Sequence, residues 1–306
     1  MELALSDDQL TILDAVDVLT RPYVSPPTDC RDFVLTSPEL DAELVQGGFL
    51  DIAFDPDLGA ISAALVVEKL ARLPYATESA MSALVRPLLG ELPAPICMVE
   101  SDQLTRPVRF LKPGATVVVV FPDKVASFTA TEADVVAVAE SLYAYPVAKL
   151  ASADFESRLT THDVSADEVR TRWRLATATE IAGLLQAAVD STVLYVSERK
   201  QFGRPIGVFQ AVRHRLAEAS VRAMGARWMA LKAAYSGDAG ETALAAHYAQ
   251  DSGSKIVYDL HQFLGGMGIT LEHPLHLWTY RIKSLLSDLG GRTAQADVAA
   301  KEMWAA

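Results

Sequence analysis

From 166 to 200 the chain runs without a proline, and both edges of this run carry the marks of one long helix. Ser165 and Glu168 stand at capping-box spacing, so each side chain can satisfy the other's free backbone N–H at the helix start. Gly203 followed by Pro205 marks the stop, because glycine accepts the turn that ends a helix and proline cannot continue one. Three more helical runs follow at short intervals: "FQAVRHRLAEASVRAMGARWMALKAAY" to about 235, a run over 241 to 263, and one within 274 to 288. Long helices joined by short connections predict a four-helix bundle.

Upstream the texture differs. "DDQLTILDAVDVLT" and "AISAALVVEKLARL" space their apolar residues by three and four, which predicts helices, and "RPYVSPPTDCRD" between them is proline-rich and irregular. From about 93, "PICMVE", "PVRFL", "TVVVVFP" and "KVASFTA" are short, apolar and β-branched, and are bounded by Pro, Gly and Asp, as strands are. The expected organisation is mainly α with a small β middle domain: helical over 1–92, β over 93–160, bundle over 161–306. No repeat or low-complexity tract interrupts it.

Composition narrows the function classes. Half of the 306 residues are hydrophobic, ample for a buried core. With 39 acidic against 27 basic residues, a nucleic-acid backbone is excluded as partner, since phosphate binding needs a basic face. No apolar run approaches the ~20 residues that span a bilayer, and "MELALSDDQL" is not the basic, apolar opening of a secretory signal, so no membrane partner and a cytoplasmic location are expected. Cys30 and Cys97 show no metal-type spacing and read as ordinary thiols. The six histidines show no metal-binding pattern; His273 and His276 are three apart, but Pro274 between them works against a helix-borne pair.

In this acidic chain "SERKQFGRPIGVFQ" packs Arg199, Lys200 and Arg204 around a turn. Cations at a helix C-terminus have a plain reading, compensation of the free carbonyls there. The fragment "HQFLGGMGITLEHPL" adds a second signal, glycines after an apolar helix that let a backbone come close to something. Together, "ERKQFG", the "FQ" at 209 to 210, "QFLGGMG" and "EHPL" resemble the C-terminal domain of the acyl-CoA dehydrogenase family, over about 168 to 288; "GGFLDIAFDPDLGAISAALVVEKLAR" is similar, more loosely, to the family's first domain. The resemblance implies an N-terminal helical domain, a β-barrel-like domain, here reduced, and a four-helix bundle. It implies an FAD-dependent oxidoreductase that forms a double bond between the α and β carbons of an acyl-CoA. By the same resemblance Arg199 reaches the FAD pyrophosphate, Phe202 and Phe209 pack on the cofactor, and Gln210, Gln262, Gly265 and Gly266 hold its adenosine half, across a subunit interface in the neighbour's site. Arginine suits this task because its planar fork makes two charge-assisted bonds to a phosphate.

Two departures stand out. The family's flavin-ring stretch, close to "TEPxAGSD", has no counterpart between 93 and 160; "VESDQLTRP" keeps only a Glu, a Ser and an Asp. The α-proton of a thioester needs a carboxylate base within reach in a dry site. One family position for it falls on Leu289 and the other on Trp173, before Arg174, so no catalytic residue is assigned. Asp288, one residue away, is a candidate only if the turn is shifted, against a solvated helix-end carboxylate. Arg174, Arg281 and Arg292 are candidates to flank the vacant pocket, with structural ion pairs as the plain alternative. This pattern is similar to the smaller, degenerate subunit of the α2β2 acyl-CoA dehydrogenases of actinobacterial sterol catabolism. That implies a larger catalytic subunit as partner, a bulky steroid-derived acyl-CoA as substrate, and an electron-transfer flavoprotein as electron acceptor. A homomeric dehydrogenase using Asp288 and a non-catalytic scaffold are the alternatives.

Overall fold

The computed structural model describes residues 4–28, 31–139, 141–151 and 155–304. Its first helices are α1 (Asp7–Thr20), α2 (Pro38–Gln46), α3 (Gly59–Ala71) and α4 (Ala80–Leu84). α1 and α3 fall where the apolar spacing puts them. α2 and α4 are additions: α2 is a short run of mixed polarity started by Ser37, whose side chain accepts from Leu40 N–H, and α4 is a short buried turn. Between α1 and α2 the described chain is irregular apart from one 3-10 turn, Arg21–Tyr23. Cys97 is a buried free thiol, while Cys30 lies outside the described residues.

The strands are β1 (Ile96–Glu100), β2 (Val108–Arg109), β3 (Thr116–Val120), β4 (Val125–Thr129), β5 (Val135–Ala137), β6 (Val147–Leu150) and β7 (Thr160–His162). They form two sheets, ordered β1-β3-β4-β7 and β2-β6-β5. β1 runs parallel to β3, with Ile96 opposite Thr116, and the other pairs are antiparallel. Successive side chains in a strand face opposite ways. Ile96, Val118 and Val120 therefore join the main core with the helices, whereas Cys97, Val99, Val117 and Val119 join Val108, Ala148, Phe128 and Phe155 in a smaller one. Burial on both faces is why "TVVVV" reads as an unbroken apolar run.

α5 (Ala166–Glu198) opens on the expected box, with Ser165 Oγ accepting from Glu168 N–H and Glu168 accepting from Ser165 N–H. A two-residue hairpin, β8 (Lys200–Gln201) and β9 (Arg204–Pro205), leads to α6 (Gln210–Ser236) and α7 (Ala239–Leu264). The fourth helix, α8 (Leu275–Leu285), falls within the expected 274 to 288, and α9 (Gly291–Trp304), which packs on α7, is an addition. The break between them is tight: Leu289, Gly290 and Gly291 have φ of 52°, 86° and 73°. A Cβ on Gly291 would lie 2.9 Å from Leu286 O, so glycine is required there.

α5 is the axis of the molecule. Residues 175–185 are all buried, with α3, α6, α7 and α8 around them, as for any helix enclosed on every side. Against α3 the contact is backbone to backbone; a Cβ on Gly183 would fall 2.2 Å from Glu68 O. α5 and α7 run the same way and finish at the same end, where Tyr195 Oη donates to Leu264 O at 3.5 Å. Among the described residues no helix is long and apolar enough to cross a membrane.

Candidate functional site

Two regions carry chemistry, at opposite ends of α5. The first is a cavity of about 350 Å³ between β1, β2, the first half of α5 and the α8–α9 break. Leu289 and Trp173, the two residues that the resemblance set at base positions, both line it. Neither accepts a proton.

Asp288 also lines this cavity, but it is neither solvated nor free. Arg109, on β2, grips it with a two-pronged ion pair, Nη1 to Oδ1 at 3.0 Å and Nη2 to Oδ2 at 2.7 Å, and Thr177 Oγ1 donates to Oδ2 at 3.3 Å. Burial alone would pull the Arg109 guanidinium down; the charge and hydrogen bonds of Asp288 reverse that and hold it above its ordinary value. The break that presents Asp288 is itself pinned. Gln250 Nε2 donates to Leu285 O and Asp288 O, and Gln295 Nε2 donates to Leu289 O at 2.8 Å. A carboxylate clamped in this way has to leave an arginine before it can take a proton from carbon, which removes Asp288 as a ready base.

Three further carboxylates line the cavity, Glu78, Glu100 and Glu180; Glu100 is ion-paired with Arg170, and Glu78 and Glu180, the latter on α5, were missed from sequence. Glu180 accepts from Tyr145 Oη at 2.6 Å, and burial raises both its carboxyl and the Tyr145 phenol above their ordinary values. Arg109 lies over the Tyr145 ring, 5.6 Å from its centroid, and so joins the two pairs. Burial pushes Glu78 up to about 7. Its oxygens are nonetheless fully engaged: they accept from Met81 N, Ser82 N, Ser82 Oγ and Ile96 N, closing the start of α4 and tying it to β1. Glu78 is structural. The signal for Glu180 was a lone carboxylate in "ATATEIAGLL", a stretch with no other charge.

The three candidate arginines lie away from this space. Arg174 Nε donates to Gln295 Oε1 at 2.7 Å; Arg292 is exposed and ion-paired with Asp251 at 2.9 Å. Arg281 is fully buried, and donates to the carbonyls of Leu277, Tyr75 and Leu73 rather than to a carboxylate. His276 is buried as well, with its ring nitrogens against His273 O and Asp32 O, and burial lowers His273 to about 4. No metal-binding cluster occurs among the described residues.

The second region is the far end of the bundle. Arg199 caps α5, exposed and with no ion-pair partner among the described residues. Phe202 and Gly203, at φ 53° and 79°, make the turn between β8 and β9. Positive φ at both central residues matches the twist of a two-residue hairpin. The turn holds Phe202 out in solvent, 89% exposed, with only a ring edge on Phe209 at 6.1 Å. Phe209 is half-buried under the Arg204 guanidinium. Gln210, at the start of α6, and Gln262, Gly265 and Gly266, at the end of α7, are exposed beside it, with nothing near where a glycine Cβ would stand. Between Glu180 and Glu198, α5 rises about 27 Å, so this end cannot serve the chain's own cavity.

The sequence of this half matches a known family model: acyl-CoA dehydrogenase, C-terminal domain, over residues 168–303. Residues 168–303 thus resemble the C-terminal domain of the acyl-CoA dehydrogenases. Curated relatives include the 3-(aryl)acrylate reductase of Clostridium sporogenes, 33% identical over 46% of this chain and 37% of its own length. The acyl-CoA dehydrogenase FadE34 of Mycobacterium tuberculosis is 36% identical over 44% of this chain and 20% of its own. The chain thus matches well under half the length of these relatives. Its fold extends the likeness over the whole chain. The ChsE4-ChsE5 complex of M. tuberculosis superposes on 99% of each chain with a TM-score of 0.72 at 19% identity. Butyryl-CoA dehydrogenase of Megasphaera elsdenii covers 98% of this chain and 99% of its own, with a TM-score of 0.70 at 19% identity. The acyl-CoA dehydrogenase fold, mainly helical with a small β region, is therefore present from the first described helix to the last.

Proposed function

We propose that the chain is a subunit of an FAD-dependent acyl-CoA dehydrogenase, which completes the flavin site of a larger catalytic partner in an α2β2 assembly and lacks a base of its own. The observation that carries this reading is the separation of the two regions. Arg199, Gln210 and Gln262 are exposed donors and Gly265 and Gly266 open glycines, with exposed Phe202 and half-buried Phe209 beside them, a set fitted to a pyrophosphate and adenosine that arrive from outside. The cavity at the other end has Leu289 and Trp173 at the base positions and Asp288 clamped by Arg109. The donor set thus fits one half of the cofactor, and the "VESDQLTRP" loop offers no glycine to receive the ring.

FAD, when bound, supplies the two-electron acceptor for the β-carbon hydride. This chain's part is to grip and orient: Arg199 neutralises phosphate charge, the glutamines fix the adenosine end, and the aromatic pair excludes water there. The partner supplies the base and the ring site, and an electron-transfer flavoprotein takes the electrons onward. The solved likenesses include a two-component complex and a steroid ACAD, which supports a heteromer acting on a bulky, steroid-derived acyl-CoA. A homomer with Asp288 as base is disfavoured by the ion pair to Arg109.

The test is flavin binding. Purified alone, the chain is expected to carry little FAD. In complex with the partner, Arg199→Ala is expected to weaken FAD roughly ten- to a hundredfold, the worth of a charge-assisted contact. Compensation of the helix terminus alone predicts instead about 0.3–1 kcal/mol of lost folding stability with FAD affinity unchanged. A chain that is stoichiometrically yellow by itself sinks the heteromer. A complex that binds no FAD with either version of residue 199 marks the chain as a scaffold.

A further inference from the structure

The exposed turn at the end of α7 is held from beneath. Gly265–Ile269 is one 3-10 turn with three glycines in five residues, and Gly265, at its start, takes a φ of 59°. Glycine loses more conformational freedom on ordering than any other residue, so such a turn keeps one shape only if something ties it. Gly265 and Gly266 are exposed, and Gly268 is buried. Before the turn, Leu264 O accepts from Tyr195 Oη. The far side of the turn is tied by His261, one helical turn back on α7.

His261 Nδ1 lies 2.5 Å from Gly268 O, and Gly268 packs on the His261 backbone so closely that a Cβ there would stand 2.6 Å from His261 O. The other ring nitrogen, Nε2, lies 2.9 Å from Thr279 Oγ1 on α8. These partners fix the proton. A carbonyl oxygen only accepts, so Nδ1 carries the hydrogen and donates it to Gly268 O. Nε2 then accepts from the Thr279 hydroxyl, which also stands 3.0 Å from Leu275 O. Burial holds the imidazole below its ordinary value, which keeps the ring neutral at neutral pH. Among the described residues the other side-chain bond to the turn, Thr270 Oγ1 to Met267 O at 3.2 Å, comes from the adjoining residue and anchors it to no helix.

We propose that His261 is a positioning residue: its Nδ1–H holds Gly268 O, fixes the Gly265–Ile269 turn against α8 through Thr279, and so sets Gly265 and Gly266 in place to receive the adenosine half of the cofactor. The last step rests on the function proposed above; the tether itself does not.

The tether is read on the full chain without flavin. In the nitrogen-15 spectrum at about pH 8, His261 is expected as the Nδ1–H tautomer. The Nε2–H tautomer overturns the proposal, with no variant needed. Hydrogen exchange of the 265–269 amides is expected to quicken roughly two- to tenfold in His261→Leu, as for one lost hydrogen bond. Asparagine places an amide N–H where Nδ1 stands and glutamine where Nε2 stands, so His261→Asn is expected to restore the native rates and His261→Gln to behave as leucine does. Equal exchange in the asparagine and leucine variants overturns the tether. FAD titration of the assembled complex reads what the tether serves: His261→Leu is expected to weaken FAD by the same roughly two- to tenfold, and His261→Asn to leave it unchanged. Faster exchange with FAD affinity intact overturns the positioning role alone if Arg199→Ala still weakens FAD, and the proposed function with it if Arg199→Ala does not.

Discussion

Replacing Arg109 with methionine is expected to destabilise the fold by about 3–5 kcal/mol, read as a lower denaturation midpoint in urea at unchanged slope. The reason is what the substitution leaves behind. Asp288 has a side chain only 11% exposed, on a break held rigidly by Gln250 and Gln295, so it cannot swing out to water when its partner is lost. The double variant Arg109→Met, Asp288→Leu removes both charges and is expected to regain most of the loss, because a buried pair often does little better than an apolar pair of similar volume. A single-variant loss below about 1 kcal/mol would place this bridge with surface ion pairs, and would reopen Asp288 as a carboxylate able to leave its arginine.

Gly183→Val is expected to be as severe, at about 3 kcal/mol or more, with α3 and α5 forced apart. In an open helix the same position would favour a side chain, since glycine in a helix interior costs about 1 kcal/mol relative to alanine. Here the sign reverses. The added Cβ would meet a carbonyl oxygen, Glu68 O at 2.2 Å, and Ala71 Cβ at 2.8 Å, and backbone cannot step aside as a side chain can. Gly225 is the contrast: its nearest neighbour is the hydroxyl end of Tyr248, at 2.7 Å, which a small rotation relieves. Gly225→Ala is therefore expected to change the melting temperature little. Equal melting temperatures for the Gly183 and Gly225 variants would mean that α3 and α5 are not in the close contact described.

Elements whose signals are local were legible in the sequence. α1, α3 and α5 announce themselves by apolar spacing and caps, and the Ser165–Glu168 box forms as its spacing implies, because both partners lie within one helical turn. β1, β3 and β4 are visible because burial on both faces leaves continuous apolar runs. The cations and glycines at the far end were legible as motifs, and the up-down-up course of α5, α6 and α7 is what gathers them at one end. α2, α4 and the weak strands β5 to β7 were not legible, since segments so short or so polar take their conformation from what packs on them.

Local sequence thus determined the long helices, the main strands and the likeness of the bundle half to a known family. The interior of the cavity was decided by tertiary structure alone. Arg109 and Asp288 stand 179 positions apart, and Tyr145 and Glu180 stand 35 apart; no spacing rule links such partners. Asp288 reads in sequence as a helix-end carboxylate open to water, and becomes half of a clamped pair only because the left-handed turn at Leu289 delivers it to β2. Glu180 reads as one acidic residue in an apolar helix. It becomes a buried acceptor because every face of α5 there is covered, and a charge's environment is set by what the whole chain folds around it.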